Sequence, residues 1–490
     1  MRALRHFVHD QSGTVAALTG LALVGLVAIG GLAFDVSRAM ALRAELESAV
    51  DAAALAGATQ LDGGADAIGR ATSAAQNSLV SNRAIMADTY ETDVLIGGIS
   101  FLSAFDPNVA TTVSADARFI RIDLPPRSRG LVFGALTGVA GFNATAHAVA
   151  GYGRAICKVP PLMICNPDEA GGSLTFDGDA YIGRSFLLTP PPNGSTPWGP
   201  GNFGFLSVGA GAADVKNAMG RNPPLTECFG TTAETKPGNV ASADDWFNTR
   251  FDIYKSSAAG NKNDPFFAPA MNTMVGGKTA AGNGACSPTI SAPSNSCANA
   301  TPVAAGMGFP LDCGQTGANP VGTGVWNIAK YFATNHSGIN PTTYVPQVPA
   351  GAVGSGWAAY GPAPASGTSP TRYQVYKWEL AMLSGNIATP AGAFSDGQTA
   401  TSGTHDYAKP QCNKTGAQAT PDRRTISVVV VNCDADDVHG QSTVNIISYV
   451  DLFLTAPAVN NAIYGEVIGS TTDTSAVGAE TMLYSVRLYD

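Results

Sequence analysis

Between Gln11 and Phe34 the chain carries no charged residue, and the stretch Thr14 to Phe34 reads TVAALTGLALVGLVAIGGLAF, 21 residues in all. The hydrocarbon core of a bilayer is roughly 30 Å thick and takes about 20 helical residues to cross. A secretory hydrophobic region is shorter, about 7–15 residues. The glycines in the run, Gly20, Gly25, Gly30 and Gly31, do not oppose this reading, because Gly is common in membrane helices. The run is therefore expected to be a single membrane-spanning anchor. A buried core helix or a long cleaved signal are the alternatives.

Flanking charge bears on orientation. Arg2 and Arg5 precede the run, and Arg38 and Arg43 follow it with Asp35, Glu45 and Glu47. The positive-inside rule weighs Lys and Arg and largely ignores acids, so this bias is slight. The cysteines are more telling. All eight (Cys157, Cys165, Cys228, Cys286, Cys297, Cys313, Cys412 and Cys433) lie beyond residue 150. An even number on one side of an anchor suits disulfides in an oxidising compartment. The reading is an N-terminus in the cytoplasm of a Gram-negative cell and the bulk of the chain in the periplasm. Free buried thiols in a cytosolic protein are the alternative. No Cys-x2-Cys pattern suggests zinc. Spacing does not choose the disulfide pairing; Cys286 with Cys297 and Cys412 with Cys433 are short-loop guesses.

Beyond the anchor, Val36 to Gln60 reads VSRAMALRAELESAVDAAALAGATQ. Ala, Leu, Arg and Glu favour helix, and Met40, Leu42, Leu46, Val50, Ala53 and Leu55 supply apolar positions. The turn residues Asp62-Gly63-Gly64 end the run. One continuous helix of about 45 residues is expected, half in the bilayer and half projecting outward.

These residues carry a resemblance. Asp10-Gln11-Ser12-Gly13, the apolar run, Asp35 just after it and the Asp51-Ala-Ala-Ala-Leu-Ala56 tail resemble the N-terminal segment of TadG-like proteins of the Flp (Tad, type IVb) pilus-assembly system. Two later stretches also look like long members of that family: Cys157-Lys-Val-Pro-Pro-Leu-Met-Ile-Cys-Asn-Pro167, and the pairing of Tyr331-Phe-Ala-Thr-Asn-His336 with a strand ending in Val431-Asn432-Cys433. The pilins of the system have Glu five residues after the marker Gly; here Gly13 is followed at that offset by Leu18. The resemblance thus implies an uncleaved assembly component. Some relatives carry a von Willebrand A domain with an Asp-x-Ser-x-Ser metal motif. Asp473-Thr-Ser475 is followed by Val477, and Asp35-Val-Ser37 by Ala39, so that motif is missing.

The expected fold class is α+β. Its parts are a cytoplasmic leader (1–13), the transmembrane helix (14–34), a pilin-like helix and antiparallel sheet (35–155), and a loop-rich, mainly β domain held by disulfides (156–490). Strands are expected at Asp93–Phe101, Arg118–Leu124 and Asn143–Tyr152, with a short helix at Leu131–Leu136. Period-two alternation marks the second of these. Pro125-Pro126 marks a turn. Only 13% of the chain is charged, against roughly 25% on average, and it holds 56 Gly and 31 Pro. Pro190–Pro192, Pro197–Gly204, Gly276–Gly284 and Val348–Pro370 accordingly read as loops. Helices are expected after Ser242-x-x-Asp245, an imperfect capping box, and along the stripe Val325, Ile328, Ala329 and Phe332. Thr425–Val431 reads as a buried strand, with Thr443–Leu454, Ala462–Ile468 and Thr481–Leu488 to pair with it.

No catalytic, cofactor or metal residues are assigned. A net charge of −9 speaks against nucleic acid, which wants a basic stripe. Gly277-Lys278-Thr279 lacks the first P-loop glycine, since position 272 is Asn. His336 and His405 have no partner pattern of a catalytic base. Asp177-Gly-Asp179 and the cluster Asp434, Asp436, Asp437 with His439 depart from a calcium-loop pattern; the cluster remains the best metal guess. Two functions stay in view. One is an anchored pilus-assembly component that contacts pilins or the secretion channel, with Gly20, Gly25, Gly30 and Gly31 as helix-packing positions. The other is a membrane-tethered periplasmic enzyme or binder of some small-molecule ligand.

Overall fold

The computed structural model describes residues 12–80 apart from 62, 63 and 65; 97–189 apart from 106, 107, 115, 116 and 135–139; 202–273 apart from 227; 312–393 apart from 314 and 316–318; 409–471 apart from 411, 414 and 419–421; and 481–489. The chain divides into two compact units, Met1–Gly153 with Tyr484–Asp490, and Arg154–Leu483.

The first unit is built on α1 (Ser12–Ala58), a single helix of 47 residues, about 70 Å long at 1.5 Å per residue. The expected uninterrupted helix is present. Its covered half shows a clear stripe: Leu42, Leu46, Ala49, Val50, Ala53, Ala54 and Ala58 are all buried, at the spacing of one helix face. Met40, expected among them, is exposed, because it falls off that face. The helix closes where the Gln60 and Leu61 amides donate to the Gly57 and Ala58 carbonyls. The chain then returns as α2 (Ala67–Val80), which buries Ala67, Ala71, Ala75 and Leu79, one residue per turn. Gly57 sets the spacing of this packing. A Cβ there would fall 2.6 Å from Ile120 Cδ1 and 3.1 Å from the Ala71 carbonyl.

A sheet covers the same helix. Its strands are β1 (Gly98–Ala104), β2 (Val109–Ala110), β3 (Phe119–Asp123), β6 (His147–Cys157) and the chain's last strand β14 (Thr481–Tyr489), in the order β14-β6-β3-β1-β2. β3 is antiparallel to both β1 and β6. Ile120 and Ile122 of β3 point into the core with Ala148 and Ala150 of β6. A separate two-stranded ribbon joins β4 (Arg127–Gly130) to β5 (Gly141–Ala144).

Three expectations change here. The strand expected over Asn143–Tyr152 is two: its start pairs with β4, and the chain crosses Ala146 before joining β3 as β6. β1 begins at Gly98 and runs past Phe101 to Ala104, while residues 93–96 lie outside the described residues. Thr481–Tyr489 pairs with β6 rather than with Thr425–Val431. Tyr489 is held there by an edge-to-face contact with Phe119, ring centroids 4.9 Å apart, above the gap left by Gly151.

The second unit centres on a seven-stranded mixed sheet. Its strands are β7 (Met163–Cys165), β8 (Ser185–Thr189), β9 (Asn202–Leu206), β10 (Thr232–Pro237), β11 (Thr425–Val431), β12 (Thr443–Leu454) and β13 (Ile463–Ser470). All seven residues of β11 are buried, as a fully covered strand requires. β11 runs parallel to β7 and antiparallel to β12, whose other edge meets β10 and then β13. β13 pairs with β12 and β8, not with β11 as expected. The end of the loop expected at Pro197–Gly204 is instead part of strand β9, paired to β10. Buried Phe205 and Leu206 supply its apolar anchor.

Helices α3 (Ala212–Gly220), α4 (Ala243–Phe247), α5 (Ile328–Asn335) and α6 (Arg372–Leu383) complete the unit. α4 lies where expected, but Ser242 does not cap it; its φ is +63° and its side chain makes no capping bond. Of the expected stripe, Val325 lies before α5 and is exposed, Ala329 is exposed, Ile328 is half-buried and Phe332 is buried. α6 starts with a complete capping box, Thr371 and Gln374 each accepting from the other's backbone amide. Val348–Pro370 is irregular apart from a short 3-10 turn at Gly356–Tyr360.

Candidate functional site

Helix α1 divides into two halves of opposite surface. From Leu18 to Phe34 the large apolar residues Leu18, Leu21, Leu23, Val24, Leu26, Val27, Ile29, Leu32 and Phe34 are all exposed, and they face every side of the helix. In water such a surface would be costly, at about 25 cal/mol per Å² of apolar area. A helix apolar all round belongs in a protein core or a bilayer, and a Cβ at Gly20, Gly25 or Gly30 of this half would meet nothing within 4 Å. By length and composition the helix segment Leu18–Ala58, which contains this half, is the one candidate membrane span among the described residues.

The boundary between the halves is built around Asp35. Although it directly follows the apolar run, Asp35 is only 3% exposed. Its carboxylate accepts the backbone amides of Val132 (2.9 Å) and Phe133 (2.8 Å). Hydrogen bonds to an ionised acceptor are among the stronger ones, and here they fasten residues 131–134 to the helix. Of the short helix expected at Leu131–Leu136, Leu131, Val132 and Phe133 are not helical and Gly134 is in a 3-10 turn; residues 135–139 lie outside the described residues. The Phe133 ring packs edge-on against Phe34, centroids 6.2 Å apart. It also closes on Gly31, where a Cβ would come within 2.5 Å of it. One turn further out, the Arg38 guanidinium sits 5.6 Å over the Phe34 ring.

Of the four glycines singled out as packing positions, Gly31 is thus filled from within the chain. Gly20, Gly25 and Gly30 have nothing within 4 Å of a Cβ and lie on the bare half.

The cysteines form bridges in the second unit. Cys165 pairs with Cys433, joining the ends of β7 and β11 where Val431 stands opposite Cys165. Cys157 pairs with Cys228, next to the reciprocal bonds of Ile156 and Phe229. The guess of Cys412 with Cys433 is therefore wrong: strand pairing brings a partner 268 residues away to Cys433. Cys313 and Cys412 are also disulfide-bonded. Cys286 and Cys297 lie outside the described residues.

The remaining polar candidates are tied into the fold. Asp436 accepts the Asn445 amide and side chain, and Glu169 accepts the amides of Asp434 and Ala435. Asp437 is a turn residue at φ +45°. Asp177 caps its own short turn and Asp179 accepts the Ser470 amide. Among the described residues no group of three acidic, His or Cys side chains is arranged to hold a metal. His336 is buried and bonds Glu379, 2.8 Å away, which also accepts from Tyr331 and Asn272. His405 and the Gly277-Lys278-Thr279 stretch lie outside the described residues.

Sequence reasoning missed a set of buried charges in this unit. Arg424 donates to the Leu454 and Thr455 carbonyls and stacks over Phe251, Tyr376 and Phe453. Glu466 accepts from Arg372 and from the Arg372 and Tyr373 amides. Burial pushes its carboxyl above the usual range, with Arg372 pulling the other way. An open cleft of about 270 Å³, lined by Tyr360, Tyr376, Lys377, Gln418 and Asp422 among others, lies nearby.

Residues 13–60 match the Tad family model, Flp pilus-assembly TadE/G-like. Over that N-terminal stretch the chain is similar to TadE/G-like proteins. The match runs over α1 and two residues past its end, so it takes in the bare half, Asp35 and the covered half together. No curated protein and no solved structure matches the chain significantly. The Tad segment suggests involvement in Flp pilus assembly.

Proposed function

We propose that this protein is an inner-membrane component of Flp/Tad pilus assembly, anchored by the first half of α1 with its N-terminus in the cytoplasm, and acting in the periplasm by contact with pilus subunits or the secretion channel. The observation that carries the reading is the coincidence of the Tad segment with a helix whose first half is bare and apolar. The periplasmic side is supported by cysteines paired in the second unit, since disulfides persist in oxidising compartments. Gly20, Gly25 and Gly30 leave room on the bare half for close approach of a partner helix, as small residues do in membranes. A pilin-like role for the helix and sheet of the first unit belongs to the same reading.

The test is co-purification from crosslinked native membranes, with the thiol state read on the same sample. Recovery of Flp pilins or their channel with oxidised cysteines is expected. Free thiols would overturn the topology, and recovery without any pilus component would overturn the assembly role.

A further inference from the structure

The β4–β5 ribbon is fixed to α1 at an unusual height. Its tip meets the helix at Gly31 and Phe34, within the apolar run, while Asp35 clamps the Val132 and Phe133 amides. Gly31 is four residues inside Asp35, which at 1.5 Å per residue places the Phe133 contact about 6 Å deeper. The described part of the tip is apolar: Leu131, Val132 and Phe133, with Val132 58% exposed. The whole sequence from Gly130 to Phe142 has no charged residue, although Arg127 and Arg129 stand just before it.

We infer that residues 131–134 form a second membrane contact, a foot inserted beside the anchor into the outer face of the bilayer. The inference rests on the anchor reading above, because the span sets the depth of Gly31. If residues 14–34 cross the bilayer, a ring seated on Gly31 cannot stand in bulk water; it lies at the boundary of headgroups and acyl chains, where apolar side chains are buried about 5–10 Å deep. The occupant of this surface is lipid, since the tip is continuous with the bare half of α1. Asp35 is compatible with that level because its charge is met by two amides, and the Arg38–Phe34 pair marks the same interface. The foot restrains the helix as well. With a second point of contact, the first unit is held at a fixed rotation and tilt to the membrane, and does not swing on a single stalk.

The experiment places a diazirine-bearing amino acid at Val132, at Val24 and at Gln76 in the full chain in native membranes, and reads adducts after illumination. Val24 reports the anchor. Gln76 is exposed on α2, next to Ala75, which borders Gly57, and so lies roughly 30 Å beyond Asp35 along α1. Lipid adducts at Val24 and, with yield of the same order, at Val132, with none at Gln76, are expected. Lipid adducts at Val24 but none at Val132 overturn the foot and leave the anchor standing. Protein adducts at Val132 in place of lipid overturn it equally. Absence of lipid at Val24 overturns the anchor and the foot together. The variant Asp35→Asn supplies a second reading: lipid adducts at Val132 should fall as the clamp weakens while those at Val24 stay unchanged, and an unchanged yield at Val132 would show that the clamp does not hold the foot.

Discussion

The two halves of α1 form one helix in opposite surroundings. From Leu18 to Phe34 every large side chain is exposed, on all faces; from Leu42 to Ala58 one face is fully buried under α2 and the sheet. The first half is apolar without a periodic pattern, and the second repeats its apolar residues at a helical spacing. A stripe specifies a protein partner, because only one face can be covered. An unpatterned apolar cylinder specifies a solvent. On the proposed function, one helix is a lipid-solvated rod that becomes the spine of a folded unit, with Asp35 at the change.

That comparison can be broken by matched substitutions. The largest effect is expected from a carboxylate. Val50→Asp would bury an unpaired charge in the first unit and cost several kcal/mol, seen as loss of hydrogen-exchange protection in α2. Val24→Asp should leave α2 protected and instead oppose insertion, by about 2.5–3.5 kcal/mol at a span centre, seen as alkali-extractable protein. Next in size, Leu46→Ala should cost about 2–5 kcal/mol through the cavity left behind, whereas Leu23→Ala should leave exchange in the first unit unaltered. Gly57→Leu would collide with Ile120 and the Ala71 carbonyl, at about 1–3 kcal/mol for overpacking. Gly25→Leu meets nothing in this chain and should spare stability, but on the proposed function it reduces piliation; normal piliation would count against packing at that position. The most local effect is that of Asp35→Asn, which keeps one good acceptor for the two amides and costs about 1 kcal/mol, detectable as faster exchange of the Val132 and Phe133 amides alone.

What could be read in advance follows the same division. The bare half needs only hydropathy, a property of adjacent letters, so Thr14–Phe34 stood out. β11 and β12 were legible for a similar reason, as runs of β-branched and aromatic residues. Asp35 was visible as a family feature, yet its role was not, because its partners are backbone amides some hundred residues away, and amides have no letter of their own. Thr481–Leu488 read correctly as a strand and wrongly as a neighbour of Thr425–Val431; alternation shows a strand and says nothing about which edge it joins. Cys433 was matched to Cys412 on loop length, while its partner Cys165 is set by the parallel pairing of β7 with β11. The buried charges Arg424 and Glu466 were passed over because a charged residue ordinarily reads as surface, and only three-dimensional packing brings carbonyls and rings around them.

The most direct test of the account is a collision-accessibility scan along α1. A nitroxide-bearing amino acid is introduced at successive positions from Leu18 to Ala58 of the full chain in lipid, without adding cysteines. The account predicts that a water-soluble relaxant reaches no position up to Leu32 while oxygen reaches them, and that beyond Val36 access to the water-soluble reagent rises and falls with a period of about 3.6 residues, lowest at Leu42, Leu46, Val50 and Ala53. Access of the water-soluble reagent to positions 18–32 would contradict it, because the bare half would then be neither in the bilayer nor the anchor of this protein.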